Sequence, residues 1–180
     1  MFTDFFYGIH SPFLDAPGWE RAGVYMKKIV QVFDKPGKYE VVIPFDKVGE
    51  EKNWIGIVKG IMPGEYELHV TADHQVPGTT GRITVRGVAG KDVVVKLYGM
   101  IRIRKEAQQT DDFLELRVLT LDKTARAIAE PQLEIEANDV KASHAASVGQ
   151  VDAQQVLYLM SRGISDKSAK DEIVAGWLGV

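Results

Sequence analysis

Ile101-Arg-Ile-Arg104, Leu114-Glu-Leu-Arg-Val118 and Leu133-Glu-Ile-Glu136 each alternate apolar and charged residues one by one. Successive side chains of an extended chain point to opposite faces, so this alternation reads as strands with one face buried and one in water. Working outward, shorter runs of the same kind lie at Lys28–Phe33, Tyr39–Ile43, Trp54–Val58, Tyr66–Val70, Arg82–Val85 and Val93–Leu97. Lys35-Pro-Gly, Met62-Pro-Gly, Val76-Pro-Gly, Gly90-Lys-Asp and Asn138-Asp separate them, and each of these can turn the chain at low steric cost. From about Val24 to Val140 the expectation is therefore mainly β. Ile101 to Leu116 is 15 residues, Leu116 to Leu133 is 17 and Ile83 to Ile101 is 18. Sandwich hairpins bring a turn about every 8–12 residues, which suits the first half, whereas the later half drifts toward a solenoid of stacked coils. Periodicity alone leaves sandwich and solenoid open.

After Gln150 the period changes. Asp152 and Gln155 have the spacing of a capping box, Val151 and Val156 that of its hydrophobic staple, and Gly163 stands where a helix would end. Ser165 then caps a second helix whose stripe is Ala169, Ile173, Val174 and Trp177. Two short helices joined by two residues are not a stable unit alone, so they are expected to dock on the β body or on a partner.

Composition narrows the function classes. The chain has 180 residues, 22 basic and 25 acidic side chains, formal charge −3 and no cysteine. One domain is the expectation, with core enough to fold without a covalent staple. Disulfides, Cys-type zinc sites and cysteine nucleophiles are excluded. The slightly acidic balance argues against nucleic acid and against a polybasic membrane anchor, and no apolar run is long enough to span a bilayer. The N-terminus is a poor signal peptide, with an early Asp4 and no basic region, so the expected location is the cytoplasm.

Among residues able to carry chemistry, His144 has the most suggestive surroundings. Glu134 and Glu136 share one face of a strand, and Asp139 lies between them and the histidine. Imidazole with nearby carboxylates can hold iron or another borderline divalent metal. The plainer reading makes the glutamates a solvated face and His144 a turn residue. His69 and His74 are five residues apart and fall on opposite faces of an ideal strand, which weakens a joint site. His10 has no evident partner. Arg82, Arg86, Arg102, Arg104 and Arg117 form either a basic stripe or, more simply, cross-strand pairs with Glu115, Glu134 and Glu136. A phosphate loop and a G-x-S-x-G elbow are both absent from the sequence.

From about Thr71 to Ala175 the chain resembles the SufB/SufD family of iron–sulfur cluster assembly scaffolds, and is more similar to SufD than to SufB. The resemblance rests on ordered pieces. These include Ala72-Asp-His-Gln-Val-Pro-Gly-Thr-Thr-Gly-Arg82, Tyr98-Gly-Met-Ile-Arg-Ile-Arg-Lys-Glu-Ala107 and Asn138-Asp-Val-Lys-Ala-Ser-His-Ala-Ala-Ser-Val-Gly149. The last is Leu157-Tyr-Leu-Met-Ser-Arg-Gly-Ile164. The resemblance implies a right-handed parallel β-helix core over residues 26–150, followed by a helical hairpin over 151–180 that docks a SufC-like ATPase. It also implies pairing with a second SufB/SufD-type subunit or a second copy, with His144 at that interface, and Tyr158, Met160, Ile164 and Trp177 as partner-binding residues. Glu134 and Glu136 are further candidate ligands. No tightly bound cofactor is expected, only a transient cluster or iron, and thiolate ligands would come from elsewhere, because Ala142 stands where many SufD proteins have Cys. The implied role is a non-enzymatic scaffold, in a minimal form lacking the family's N-terminal helical region. Residues 1–25, with Phe2, Phe5, Phe6, Tyr7 and Phe13, are expected to be an N-terminal cap on the open end of the solenoid or an extension. The alternatives from other classes are a carbohydrate-active β-solenoid enzyme using Glu134, Glu136 and Asp139, and a metal-free structural β domain.

Overall fold

The computed structural model describes residues 28–179; the expected N-terminal cap and His10 lie outside them. Nine strands and two helices follow in order: β1 (Lys28–Phe33), β2 (Gly37–Phe45), β3 (Glu51–Gly60), β4 (Gly64–His74), β5 (Thr80–Ala89), β6 (Val93–Ile103), β7 (Asp111–Thr120), β8 (Arg126–Ile135), β9 (Lys141–Gln150), α1 (Ala153–Ser161) and α2 (Asp166–Leu178).

Consecutive strands do not pair with each other. The odd strands form one sheet in the order β1-β3-β5-β7-β9, and the even strands form another, β2-β4-β6-β8. Every pairing is parallel, with Glu51 beside Thr80, Thr80 beside Asp111 and Asp111 beside Lys141. The chain thus crosses one sheet, turns a corner, crosses the other and returns one level up. Two of the spacings read from the sequence make one coil, which decides the open choice in favour of a parallel β-solenoid of about four turns. A hairpin sandwich would have antiparallel neighbours.

Alternation builds the interior. Val95, Leu97, Ile101 and Ile103 of β6 point inward, and so do Leu114, Leu116 and Val118 of β7, all essentially inaccessible. Register partners in a parallel sheet lie on the same face, so these residues stack in columns: Ile83 on Leu114, Val85 on Leu116, Leu68 on Leu97. Each fully buried side chain of this kind contributes about 1.5–3 kcal/mol. The corner turns stack too. Gly49 donates to the Pro77 carbonyl at 3.2 Å, Gly78 to Gln108 at 2.8 Å and Gln109 to Asp139 at 2.6 Å.

The segment from Asp152 onward belongs to a separate compact unit. Asp152 caps α1 as anticipated, although its carboxylate accepts from Gln154 N–H rather than one residue further on. At the other end the Gly163 N–H bonds to the Met160 carbonyl and the Ile164 N–H to Leu159, which is a Schellman motif with Gly163 in the left-handed region at φ 88°. Ser165 caps α2 through the amide of Ser168.

Close approach between coils demands glycine at Gly60. A Cβ there would lie 2.7 Å from the Val88 carbonyl oxygen and 2.8 Å from Val93 Cγ1. Backbone of the next coil cannot yield as a side chain can, so Gly60→Ala is expected to destabilise the protein by about 1–3 kcal/mol. Thermal denaturation checks this; an unchanged melting temperature would contradict the packing.

Candidate functional site

His144 sits in the middle of β9 and is in register with Leu114. It therefore occupies a column that is core in the coils beneath it. No strand follows β9 in its sheet, so the position is exposed, and among the described residues His144 makes no hydrogen bond or ion pair. Ala142 and Ala146 flank it on the same face. Across the coil, Leu133 and Ile135 of β8 continue core columns yet are 38% and 41% exposed, as is Val148 of β9 at 49%. Apolar residues patterned for a core thus lie open at one end.

The edge of β9 is chemically available as well. Lys141 N–H bonds to the Thr110 carbonyl and Val151 N–H to the Thr120 carbonyl, so the odd-numbered backbone groups face β7. Groups of even-numbered residues, His144 and Ala146 included, face the unpaired edge. An edge of this kind is a template for another strand.

Glu134 points out of the even sheet and accepts a hydrogen bond from Arg102 Nε at 2.9 Å. Glu136 follows β8 at the corner, where its N–H bonds to the Ile103 carbonyl. Glu134 belongs to the sheet opposite His144 and Glu136 lies at the end of that strand, before the corner at Asn138 and Asp139 carries the chain across. The three candidate ligands are not brought into one set, and the described residues contain no group of three or more potential metal ligands.

The other arginines follow the simpler reading only in part, since Arg82 and Arg104 pair with aspartates and Arg117 pairs within its own strand rather than across. Arg82 pairs with Asp111, Arg104 with Asp73 in a two-pronged contact, and Arg117 with Glu115 on its own strand. Burial raises the Asp73 carboxyl, but hydrogen bonds from Arg104 and Gln75 outweigh it and hold the group below its usual range. His69 and His74 do face opposite ways. His69 lies on the outer surface, stacked on Tyr98 at 4.7 Å and bonded to Glu67 at 2.7 Å. His74 is wholly buried and bonded to Asp112 and Thr79, a network that sequence reading missed.

In the helical unit, Tyr158 and Met160 are exposed, Ile164 is half-buried as the residue closing the Schellman motif, and Trp177 is half-buried in α2. A shallow apolar groove of about 440 Å³ is lined by Asp152, Gln154, Gln155, Tyr158, Leu159 and Ile173. Of the four residues expected to bind a partner, Tyr158 borders it.

Residues 47–177 match the family described as SUF system FeS cluster assembly, SufBD core domain. Over 76 residues the chain is 42% identical to the iron–sulfur cluster assembly protein SufD of Escherichia coli (strain K12), covering 42% of this chain and 18% of that protein. It is 41% identical over 106 residues to SufD of Bacillus subtilis (strain 168), covering 58% of this chain and 24% of that one. With a SufBD family protein of Mycobacterium leprae (strain TN) it shares 30% identity over 145 residues, 76% of this chain and 37% of the relative. The chain thus spans well under half the length of these relatives.

On the outward face of the even sheet, Lys38 and His69 both bond to Glu67 and hold its carboxyl down to about 2. A depressed carboxyl contributes stability that is present above its ordinary value of 4.5 and lost as pH falls toward about 2. Acid titration followed by thermal melting should show Glu67→Gln losing less stability than the native chain across that window. Parallel curves would exclude a contribution from the pair.

Proposed function

The chain belongs to the SufBD family of the SUF iron–sulfur cluster assembly system, and on that premise we propose that it is a SufD-like scaffold subunit, not itself an enzyme, on which a cluster is built. The observation that carries this reading is the end coil: a histidine in a core column, on an edge with no further strand among the described residues, beside core-patterned apolar residues that are exposed.

A second scaffold subunit, either a SufB-type chain or another copy, would add its strands to the edges of β8 and β9. That pairing would satisfy the free backbone groups and cover Leu133, Ile135 and Val148. His144 would then lie at the seam, where its imidazole is suited to iron. The cluster is cargo rather than a resident cofactor. Its thiolate ligands would come from the partner or the sulfur donor, since the chain has no cysteine. Glu134 and Glu136, across the corner in the same coil, are carboxylates that the seam could recruit. We assign the helical unit to docking of a SufC-like ATPase, with the groove beside Tyr158 and the exposed Met160 as its contact surface, and Ile164 and Trp177 supporting it. ATP-driven closure of that partner would strain the seam and open it. No helix among the described residues is long and apolar enough to cross a membrane, in keeping with a cytoplasmic site of action. A carbohydrate-active role gains nothing from the structure, because Glu134 is tied to Arg102.

Coexpression with the ATPase and the partner scaffold, anaerobic purification and iron and sulfide analysis test the site. His144→Ala is expected to lower cluster content several-fold at an unchanged melting temperature, because the side chain is exposed and makes no bond among the described residues. Full cluster content in the variant would remove His144 from the site. The seam has its own test. Ala146→Pro deletes an edge-facing N–H without touching the ladder to β7, since proline is tolerated where its missing donor faces solvent. Sedimentation should show the variant folded but unable to pair, and a retained dimer would place the interface elsewhere.

A further inference from the structure

His74 and Asp112 are 38 residues apart and approach to 2.8 Å inside the solenoid, joining β4 of one sheet to β7 of the other. Neither side chain exposes any surface. The directions of the surrounding hydrogen bonds count the protons. Thr110 Oγ1 donates to the Ala107 carbonyl at 2.9 Å, which uses its only hydrogen. Thr79 Oγ1, 3.1 Å from Thr110 Oγ1, must therefore donate to it. Having spent its own hydrogen, Thr79 can only accept from His74 Nδ1, 2.7 Å away. Nδ1 thus carries a proton. A second proton must then lie between Nε2 and Asp112 Oδ2, because a bare nitrogen facing a carboxylate would set two lone pairs against each other.

We propose that His74 and Asp112 form a buried proton-binding site, a brace between the two sheets that holds together only while protonated. The bound proton makes the pair neutral overall, either as imidazolium with carboxylate or as imidazole with carboxylic acid. Three further observations agree. Asp112 Oδ1 has no hydrogen-bond partner among the described residues, and an ionised carboxylate so poorly solvated needs a facing cation or its own proton. The Phe45 ring stacks on His74 at 4.0 Å, a favourable surface for an imidazolium. A Cβ at Gly81 would lie 2.5 Å from the Asp112 carboxylate, so the glycine makes the room in which the acid reaches across to the histidine.

The remaining charges around the pair neutralise one another. Lys52, whose ammonium lies 5.2 Å from the Phe45 centroid, is 3.1 Å from Glu50. Asp73, beside His74 but facing out, is bound by Arg104. In the columns, β6 offers only Ile103 to His74, and β9 only Ala142 to Asp112.

An unfolded chain releases its histidine proton above about pH 6.5, whereas the bonding pattern of the folded pair calls for one proton more. Folding therefore takes up a proton in that range, and the folding equilibrium constant falls by up to tenfold per pH unit as pH rises. Two measurements on the full chain test the site. Side-chain nitrogen NMR of labelled histidines at pH 8, assigned with His74→Gln, should show the Nδ1 proton on His74; a neutral ring with a bare Nδ1 and a proton only on Nε2 would overturn the proposal. Asp112→Asn supplies an amide N–H to Nε2 in the same shape as the carboxylic acid and needs no stored proton. Urea unfolding from pH 6.5 to 8.5 should show native stability falling with pH and the variant's much flatter. Equal slopes would likewise overturn it.

Discussion

Everything in the β body follows from one constraint: each strand's backbone is satisfied only by the strand one coil above and one coil below. Because all pairings are parallel, register partners repeat the same face, and a residue suited to the core in one coil must meet a core residue in the next. The columns of Ile83 on Leu114 and Leu68 on Leu97 are the product, as are the bonded corner turns. The same constraint leaves the terminal strands half-satisfied. A stack of this kind has no closing geometry of its own, unlike a barrel, and its last ladder is left to water or to an added strand.

Much of this was legible in the residues. Alternation at Ile101–Arg104, Leu114–Val118 and Leu133–Glu136 located strands and their inner faces, and Asp152, Gly163 and Ser165 marked the helix ends. The architecture was not legible from periodicity, because period two is the same in hairpins and solenoids; only the direction of the return path distinguishes them. Register was out of reach for a related reason. Nothing local announces that His74 meets Asp112, 38 positions further along, so a histidine that the sequence set only on the strand face opposite His69 is the centre of a buried network. Nearness in sequence misled in the opposite direction. Glu134 and Glu136 lie within ten residues of His144, yet the corner between β8 and β9 separates both from it. The family resemblance singled out His144, and the register explains its unusual position.

Charges on the outer face of the even sheet form an ordered lattice. Lys38, Glu67 and His69 interact on one part of it, Lys96 with Glu65 on another, and Asp73, Arg104, Arg102 and Glu134 toward the corner. Exposed pairs of this sort are each worth little. Their collective effect is on specificity, since a one-residue slip of any strand would expose its apolar set and misalign its charges at once.

The interior thins toward its C-terminal end. Val95 and Leu97 are succeeded in their columns by Ala127 and Ala129, and Leu116 by Ala146. The final coil thus keeps large side chains in its core columns only at Leu133, Ile135 and Val148, all three partly exposed, and leans more on its backbone ladder. In a stack stabilised by nearest neighbours, that coil is the one to fray, opening and reclosing while the larger side chains beneath keep their places. Its amides should exchange with solvent sooner than those of β6 and β7. A hard, densely filled shaft ending in a pliable tip can remodel its last turn without melting the rest.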